Sequence, residues 1–379
     1  MKRNKRIIIS ILVFVIVAAG IGTALFCVEN REKKSENKTQ TEAKKSEKPK
    51  KEKVEETKEE PIAEIPQDQS TSVIFTGDVL LSNYVLQNYE KSGVQGILGE
   101  TLLNELQQAD ITVINEEFPF GTTGTPAEDK QFTFRVNPSY VDIFKQMGVD
   151  AVTLANNHIL DYGEEPLSET MKTLDEAEIL YAGAGDSIGR AKALQVIEVN
   201  GKRYGMLAAS RVIPVASWNV QNHAPGVFCT YDPTLLLEEI KAARSQCDYL
   251  AVYVHWGIER NANPEDYQKN MARQYIDAGA DAVIGSHPHV LQGIEYYNGK
   301  PIFYSLGNFI FNQSIERTMA VKFEISAQGE VQIRILPAAA ENARTAQEEG
   351  SEAQATYRYI ESISNGIAID DNGLLSNCE

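Results

Sequence analysis

Cysteine is scarce in this chain: four residues in 379, at Cys27, Cys229, Cys247 and Cys378. Thiols this few and this far apart make no disulfide framework, and no pair has the spacing of a zinc knuckle. A Cys229–Cys247 bridge would suit an oxidising exterior, but isolated buried cysteines are the commoner case. Positive charge is also in deficit, with 36 Lys and Arg against 53 Asp and Glu. Residues 1–69 hold 15 of the former and 12 of the latter, which leaves 21 and 41 for the remaining 310 residues, a net of −20. A domain that acidic repels nucleic acid at long range, which argues against a nucleic-acid partner. A bound metal would offset some of that charge locally; plain solubility is the other use for it. No internal repeat is present.

What the chain does have begins at its N-terminus. "MKRNKR" supplies four cations, and residues 7–26 then carry no charge. At 1.5 Å per residue such a run spans roughly 30 Å, the hydrocarbon core of a bilayer. A cleaved signal peptide has a shorter apolar region, about 7–15 residues. A lipoprotein cysteine follows a small residue, whereas Phe26 precedes Cys27. Residues 1–28 are therefore expected to form a cytosolic basic flank and one transmembrane anchor, with everything after Cys27 outside the cell membrane. Residues 29–69 are rich in Lys and Glu and nearly devoid of large apolar side chains, the composition of a disordered tether. A single anchor argues against a transporter acting alone.

From Thr71 onward, short apolar runs alternate with helical stretches. "SVIFTGD", "ITVINEE", "VDAVTLANNH", "KRYGMLAAS", "DYLAVYVHWG" and "DAVIGSHPH" read as strands. "GILGETLLNELQQAD", "NPSYVDIFKQMG", "EPLSETMKTLDEAE", "DPTLLLEEIKAARSQC" and "PEDYQKNMARQYIDAG" read as helices between them. That alternation predicts an α/β domain over residues 70–337. "KPIFYSLGNFIFN" and "MAVKFEISAQGEVQIRIL" suggest a second sheet near its end. Residues 338–379 read as a polar extension with one helical stretch.

The strand ends collect the chemistry. They carry Asp78; Asn115, Glu116 and Glu117; Asn156, Asn157 and His158, with Asp161 just beyond; His255 and Glu259; and His287 with His289. Four of the five histidines fall there, and only His223 does not. Ligands of open α/β sheets bind outside the carboxyl ends of strands. Imidazole and carboxylate donors favour zinc, manganese or iron, and no cysteine stands at these ends to make a sulfur-type structural zinc site. Singly, each group has an ordinary explanation: Asp78 in a Gly-Asp turn, Glu117 on a solvated loop, Asn156 and Asn157 as helix caps, His255 packed beside Trp256, "SHPH" as a surface turn. Jointly, at successive strand ends, they read as one site.

"FTGDV", "NEEFP", "GVDAVTLANNHILDYG", "VHWGIE", "DAGADAVIGSHPHVLQGIE" and "PIFYSLGNFIFN" together resemble the motif series of the CapA/PgsA family of poly-γ-glutamate capsule synthesis. The resemblance covers residues 72–312, and the anchor and short charged tether resemble PgsA-type members. The family's kinship to calcineurin-like metallophosphoesterases implies a four-layer αββα sandwich. It also implies a centre of one or two divalent ions held by Asp78, Glu117, Asn157, His255, His287 and His289, with His158 paired to Asn157. Glu117 is taken over Glu116 because the family pattern runs Asn-x-Glu-x-Pro. One departure stands out: the phosphoesterase motif Asp-x-His is matched here by Asp78, Val79 and Leu80. One ion would therefore lack a histidine.

The resemblance implies a metal-dependent, phosphoesterase-like hydrolase site in which His158 is the general acid and Asp161 orients it. Asn115, Asn156, Arg135, Glu259 and Asn308 are the expected neighbours of metal or substrate. The implied setting is a poly-γ-glutamate synthase complex with membrane subunits and an amide ligase. A free-standing extracellular hydrolase and a non-catalytic scaffold are the alternatives, since one fold hosts many functions.

Overall fold

The computed structural model describes residues 69–378, together with the backbone of Ile7–Ile9. The chain builds two sheets in turn. β1 (Thr71–Val79), β2 (Ile111–Glu116), β3 (Ala151–Thr153) and β4 (Leu180–Ala182) lie parallel in the first sheet. A hairpin of β5 (Gln195–Val199) and β6 (Lys202–Ser210) opens the second. β7 (Tyr249–His255) and β8 (Ala282–Ser286) continue it in parallel with β6. A further hairpin, β9 (Ile294–Tyr297) and β10 (Lys300–Phe303), joins through a parallel β8–β10 pair. The chain then returns to the first sheet: β11 (Asn308–Ile310) pairs parallel with β1. β12 (Ile315–Ile325), β13 (Val331–Glu341) and β14 (Arg344–Gln347) extend the first sheet as an antiparallel meander.

Strand alternation explains why two sheets stack and helices cover them. Successive side chains of a strand face opposite sides. In β7, Tyr249, Ala251 and Tyr253 join a core with Val73 and Phe75 of β1. Leu250, Val252 and Val254 join a second core with Leu236 and Ile240 of α5 (Thr234–Ala243) and Tyr275 and Ile276 of α6 (Asp266–Ala278). Such unbroken apolar runs are the mark of strands buried on both faces. On the first sheet the covering helices are α1 (Asn83–Ser92), α2 (Glu100–Gln108), α3 (Val141–Met147), α4 (Glu164–Glu176) and α7 (Gly350–Ser362). The result is a mixed α/β sandwich.

Several expectations are corrected. The strand read through "VDAVTLANNH" stops at Thr153, because Asn156 Oδ1 takes the N–H groups of His158 and Ile159, each at 3.0 Å, and turns the chain. The sheet expected near the C-terminal end does not stand apart: β10 belongs to the second sheet and β11–β14 to the first. The boundary expected at 337 falls inside β13, and α7 contributes Tyr357 and Ile360 to the core. Helix α1 is hard to read from sequence because it buries only Val85 fully, with Leu86 and Tyr89 half-buried against the core. Cys229 and Cys247 are both buried free thiols, and burial pushes Cys229 up to about 12 and Cys247 to about 11.

The expected tether, 29–68, and all of the expected anchor but three residues lie outside the described residues. Ile7–Ile9 pairs antiparallel with β5, so there the backbone is extended where the anchor reading expects helix. Among the described residues no helix is long and apolar enough to cross a membrane.

A candidate metal centre at the strand ends

The site begins with a close approach of two backbones. Asp78 N–H donates to the Gly307 carbonyl at 2.9 Å. A Cβ on Gly77 would stand 1.8 Å from that same oxygen, so only glycine fits before Asp78. One extra residue in β1 between the pairs Phe75–Val113 and Asp78–Asn115 forms a bulge. Bulges re-aim side chains, and this one puts Asp78 level with Asn115, whose Nδ2 donates to Asp78 Oδ1 at 2.8 Å. On the other side β11 sets Asn308 beside Asp78.

Glu117 follows β2 and is fully buried, with neither carboxylate oxygen accepting a hydrogen bond. A buried carboxylate without a partner is costly. Its Oε1 lies 3.7 Å from His255 Nε2 and 3.9 Å from His289 Nε2. His255 Nε2 is also 2.8 Å from Asn157 Oδ1 and 3.1 Å from His287 Nδ1. A carboxylate oxygen, an amide oxygen and three ring nitrogens thus converge on one small region, a donor set suited to a cation. Glu117, His255 and His287 place ligand atoms within 4.8 Å of one another, and so do Asp78, Glu117 and His289. Two candidate ion positions therefore share Glu117. Leu80, where the Asp-x-His pattern has histidine, is buried and apolar, so the second position has one ring only.

"SHPH" meets the site through its backbone. His287 has φ 97° and His289 φ 59°, left-handed values that a non-glycine residue rarely adopts and that concentrate at functional sites. With Pro288 between them, they bring His289 Nδ1 to 3.2 Å from Asp78 Oδ2 and 2.8 Å from Asn308 Oδ1.

Charge in this pocket is strongly coupled. Burial, then the neighbouring Asp78, pushes Glu117 well above the usual carboxylate range. Burial pulls His289 down, but Glu117 and Asp78 pull it further up, to about 10. Burial, then the ring of His289, holds His287 at about 3. His255 is driven well below the ordinary imidazole value by burial and the other two rings. Two rings are thus neutral and ready to act as ligands, while the third keeps a proton that a metal would displace.

Beside this cluster stands a second constellation. His158 Nδ1 lies 2.7 Å from Asp161 Oδ2, which also accepts the Phe134 N–H at 2.7 Å. Lys130 donates to Asp161 Oδ1 and to the Asn157 carbonyl, and its Nζ is 2.9 Å from His158 Nδ1. His158 Nδ1 thus faces a carboxylate oxygen and an ammonium at once; a proton on Nδ1 satisfies Asp161, and Nε2 is then the nitrogen left open. Burial first, and Lys130 among its neighbours, lowers His158 below the ordinary imidazole value despite Asp161. Phe134 packs on the ring with centroids 4.5 Å apart.

The remaining expected residues sort as follows. Asn115 bonds Asp78, and Asn156 binds Asn115 Oδ1 at 3.2 Å and the Glu116 carbonyl at 2.7 Å. Glu259 brings its carboxylate within 4.8 Å of ring nitrogens of His287 and His289. Arg135, expected at the substrate, instead donates to the carbonyls of Thr123 and Gly124 and stacks 4.2 Å from the Tyr162 ring. Its exposed position lets nearby carbonyls take the guanidinium. Glu116 is buried without a hydrogen-bond partner and, among the described residues, joins no group of candidate ligands; strand alternation turns it away from Glu117. His223 is exposed and pairs with Glu164 at 2.8 Å. Two contributors escaped the sequence reading. Ser286 Oγ, 3.0 Å from His255 Nδ1, orients that ring. Lys130 sits in the aperiodic stretch "EDKQF", where its only signal is a lone cation in an acidic run.

Residues 72–313 match the family described as "Bacterial capsule synthesis protein PGA_cap". Among curated relatives, the PGA biosynthesis protein CapA of Bacillus subtilis is 32% identical over 282 residues, covering 73% of each chain. The capsule biosynthesis protein CapA of Bacillus anthracis is 29% identical over 281 residues, covering 72% of this chain and 68% of that one. A solved structure of a hypothetical protein from Thermus thermophilus aligns with 72% of this chain and 99% of its own at a TM-score of 0.45 and 17% identity. That likeness is too low to bear on function.

Proposed function

The chain belongs to the PGA_cap family of bacterial capsule synthesis proteins, and from that premise we propose that it is a membrane-anchored accessory protein of poly-γ-glutamate assembly with a metal-dependent hydrolytic site. The observation that carries the hydrolytic reading is Glu117: both its carboxylate oxygens are buried without a partner, and Oε1 stands 3.7 Å from His255 Nε2 and 3.9 Å from His289 Nε2. Asp78, Glu117, Asn157, His255, His287 and His289 would hold one or two divalent transition ions, manganese, zinc or iron. Bound there, such an ion supplies Lewis acidity and brings a water's pKa toward about 7.

The chain's own groups do the rest. Asn115 and Asn308 hold Asp78 and His289 in place. Ser286 orients His255. Asp161, itself fixed by Lys130 and the Phe134 N–H, keeps His158 Nδ1 protonated and leaves Nε2 to move a proton. A ring held neutral by burial accepts a proton before it donates one, which refines the general-acid role expected from sequence. This histidine-aspartate pair, which needs no metal to form, favours a catalytic site over a scaffold. The uncharged run at residues 7–26 supports membrane attachment, and the capsule roles in the relatives' names support work within a synthase complex containing membrane subunits and a ligase.

The test uses the whole chain loaded with Mn2+ or Zn2+ and two probes, γ-linked oligoglutamate and bis(p-nitrophenyl) phosphate. Cleavage of either probe should stop with chelator. His158→Ala should slow it by about 10²–10⁴-fold with metal content unchanged. Metal-loaded protein inert toward both probes would overturn the hydrolytic reading.

A further inference from the structure

Arg211 follows β6, and its backbone N–H donates to the His255 carbonyl at 2.8 Å. Its guanidinium carbon lies 4.6 Å from the ring centroid of Tyr231 and 4.6 Å from that of Tyr267. Both rings are pinned. The Tyr267 hydroxyl accepts the N–H of Gly257, two residues beyond His255, at 2.8 Å, and the Tyr231 hydroxyl accepts the Ile213 N–H at 3.2 Å. The clamp is therefore tied to the same loop that leaves His255 for Glu259.

Aromatic faces attract a guanidinium but accept none of its N–H bonds. Arg211 Nε is buried and has no partner, and no carboxylate meets this side chain among the described residues. Four other arginines of this acidic domain pair with carboxylates, Arg190 with Asp175, Arg203 with Asp248, Arg244 with Asp281 and Arg273 with Glu295, and Arg135 and Arg344 donate to backbone carbonyls. A half-buried cation held flat, with its donors unspent, beside a strand end that carries a candidate metal ligand, is built to receive an acceptor from outside the chain. A planar fork of N–H groups matches a carboxylate or a phosphate.

We propose that Arg211, clamped by Tyr231 and Tyr267, is an oxyanion subsite that holds a carboxylate or phosphate of the substrate beside the His255 strand end. The proposal rests on the reading of these strand ends as a substrate site and deepens it. It requires a substrate that bears an anionic group set apart from the one taken at the metal cluster. A γ-linked glutamate polymer, with a carboxylate on each residue, is one source of that group; a phosphorylated substrate is the other.

The experiment is isothermal titration of the metal-loaded full chain with γ-linked pentaglutamate and, separately, with inorganic phosphate. Arg211→Gln should weaken binding of the accepted probe at least tenfold, while metal content and thermal midpoint stay unchanged. Arg211→Lys keeps the charge and loses the planar fork, so it should recover only part of that affinity. Tyr231→Ala, at a half-exposed ring, should weaken binding severalfold and serves if Arg211→Gln fails to fold. Pentaglutamate binding without phosphate binding assigns the subsite to polymer carboxylates; phosphate binding without pentaglutamate binding assigns it to phosphate. Unchanged affinity in Arg211→Gln, or no binding of either probe to the wild type, overturns the proposal. Arg211-dependent binding in a protein that holds no metal would leave the subsite standing and remove the metal reading instead.

Discussion

Glu117 is the residue on which the centre turns. A carboxylate buried beside Asp78 prefers to keep a proton, and that preference raises its pKa. The negative charge that Glu117 and Asp78 retain between them pulls His289 up to about 10, above its ordinary 6.5. In the metal-free protein the charged ring therefore stabilises the fold fully below pH 6.5, and that contribution is lost as pH rises through about 10. Near pH 7 the empty cluster retains protons that a cation must displace. Titrating Zn2+ into metal-free protein in two buffers of different ionisation enthalpy should show proton release at pH 7, and affinity should rise with pH. A binding enthalpy identical in both buffers would contradict this assignment of charge.

At the scale of the element, the bulged end of β1 is the device that makes the site. Gly77 admits the Gly307 carbonyl, and the extra residue aligns Asp78 with Asn115. Overpacking of a tight contact typically costs about 1–3 kcal/mol. Gly77→Ala should lower the urea midpoint by a corresponding amount and lower metal occupancy with it. A stability within error of wild type would show that the β1–β11 approach is not constrained as described.

Much of this was legible beforehand, for physical reasons. Apolar runs such as "LAVYV" read as strands because both faces of β7 are buried, and polar residues where such runs stop mark ligand ends. What the sequence hid depends on tertiary contact. Lys130 lies in a loop without periodicity, and only folding brings it to Asp161. Arg135 looked free because no one-dimensional pattern reveals that the carbonyls of Thr123 and Gly124 take it. The return of β11–β14 to the first sheet is equally invisible, since strands late in a chain can pair with any open edge.

For the molecule as a whole, the last forty residues belong to the fold rather than trailing from it. β13 runs through position 337, β14 pairs with its end, and α7 buries Tyr357 and Ile360. A chain ending at Pro337 should therefore lose its single cooperative unfolding transition, read by circular dichroism against urea. Retention of a wild-type midpoint would make those residues dispensable. Attachment through residues 7–26 should keep the full chain in the membrane fraction after alkaline carbonate extraction, whereas a soluble full chain would leave Ile7–Ile9 to its pairing with β5.

The central claim is that these strand ends form one metal centre, and elemental analysis of the purified full chain tests it most directly. Wild type should carry one or two equivalents of manganese, zinc or iron. His287→Ala and His255→Ala should each lose metal, with the fold intact by circular dichroism, and His158→Ala should keep it. Wild-type protein that takes up no divalent ion even on reconstitution, or a His255→Ala variant that retains the full complement, would contradict the account.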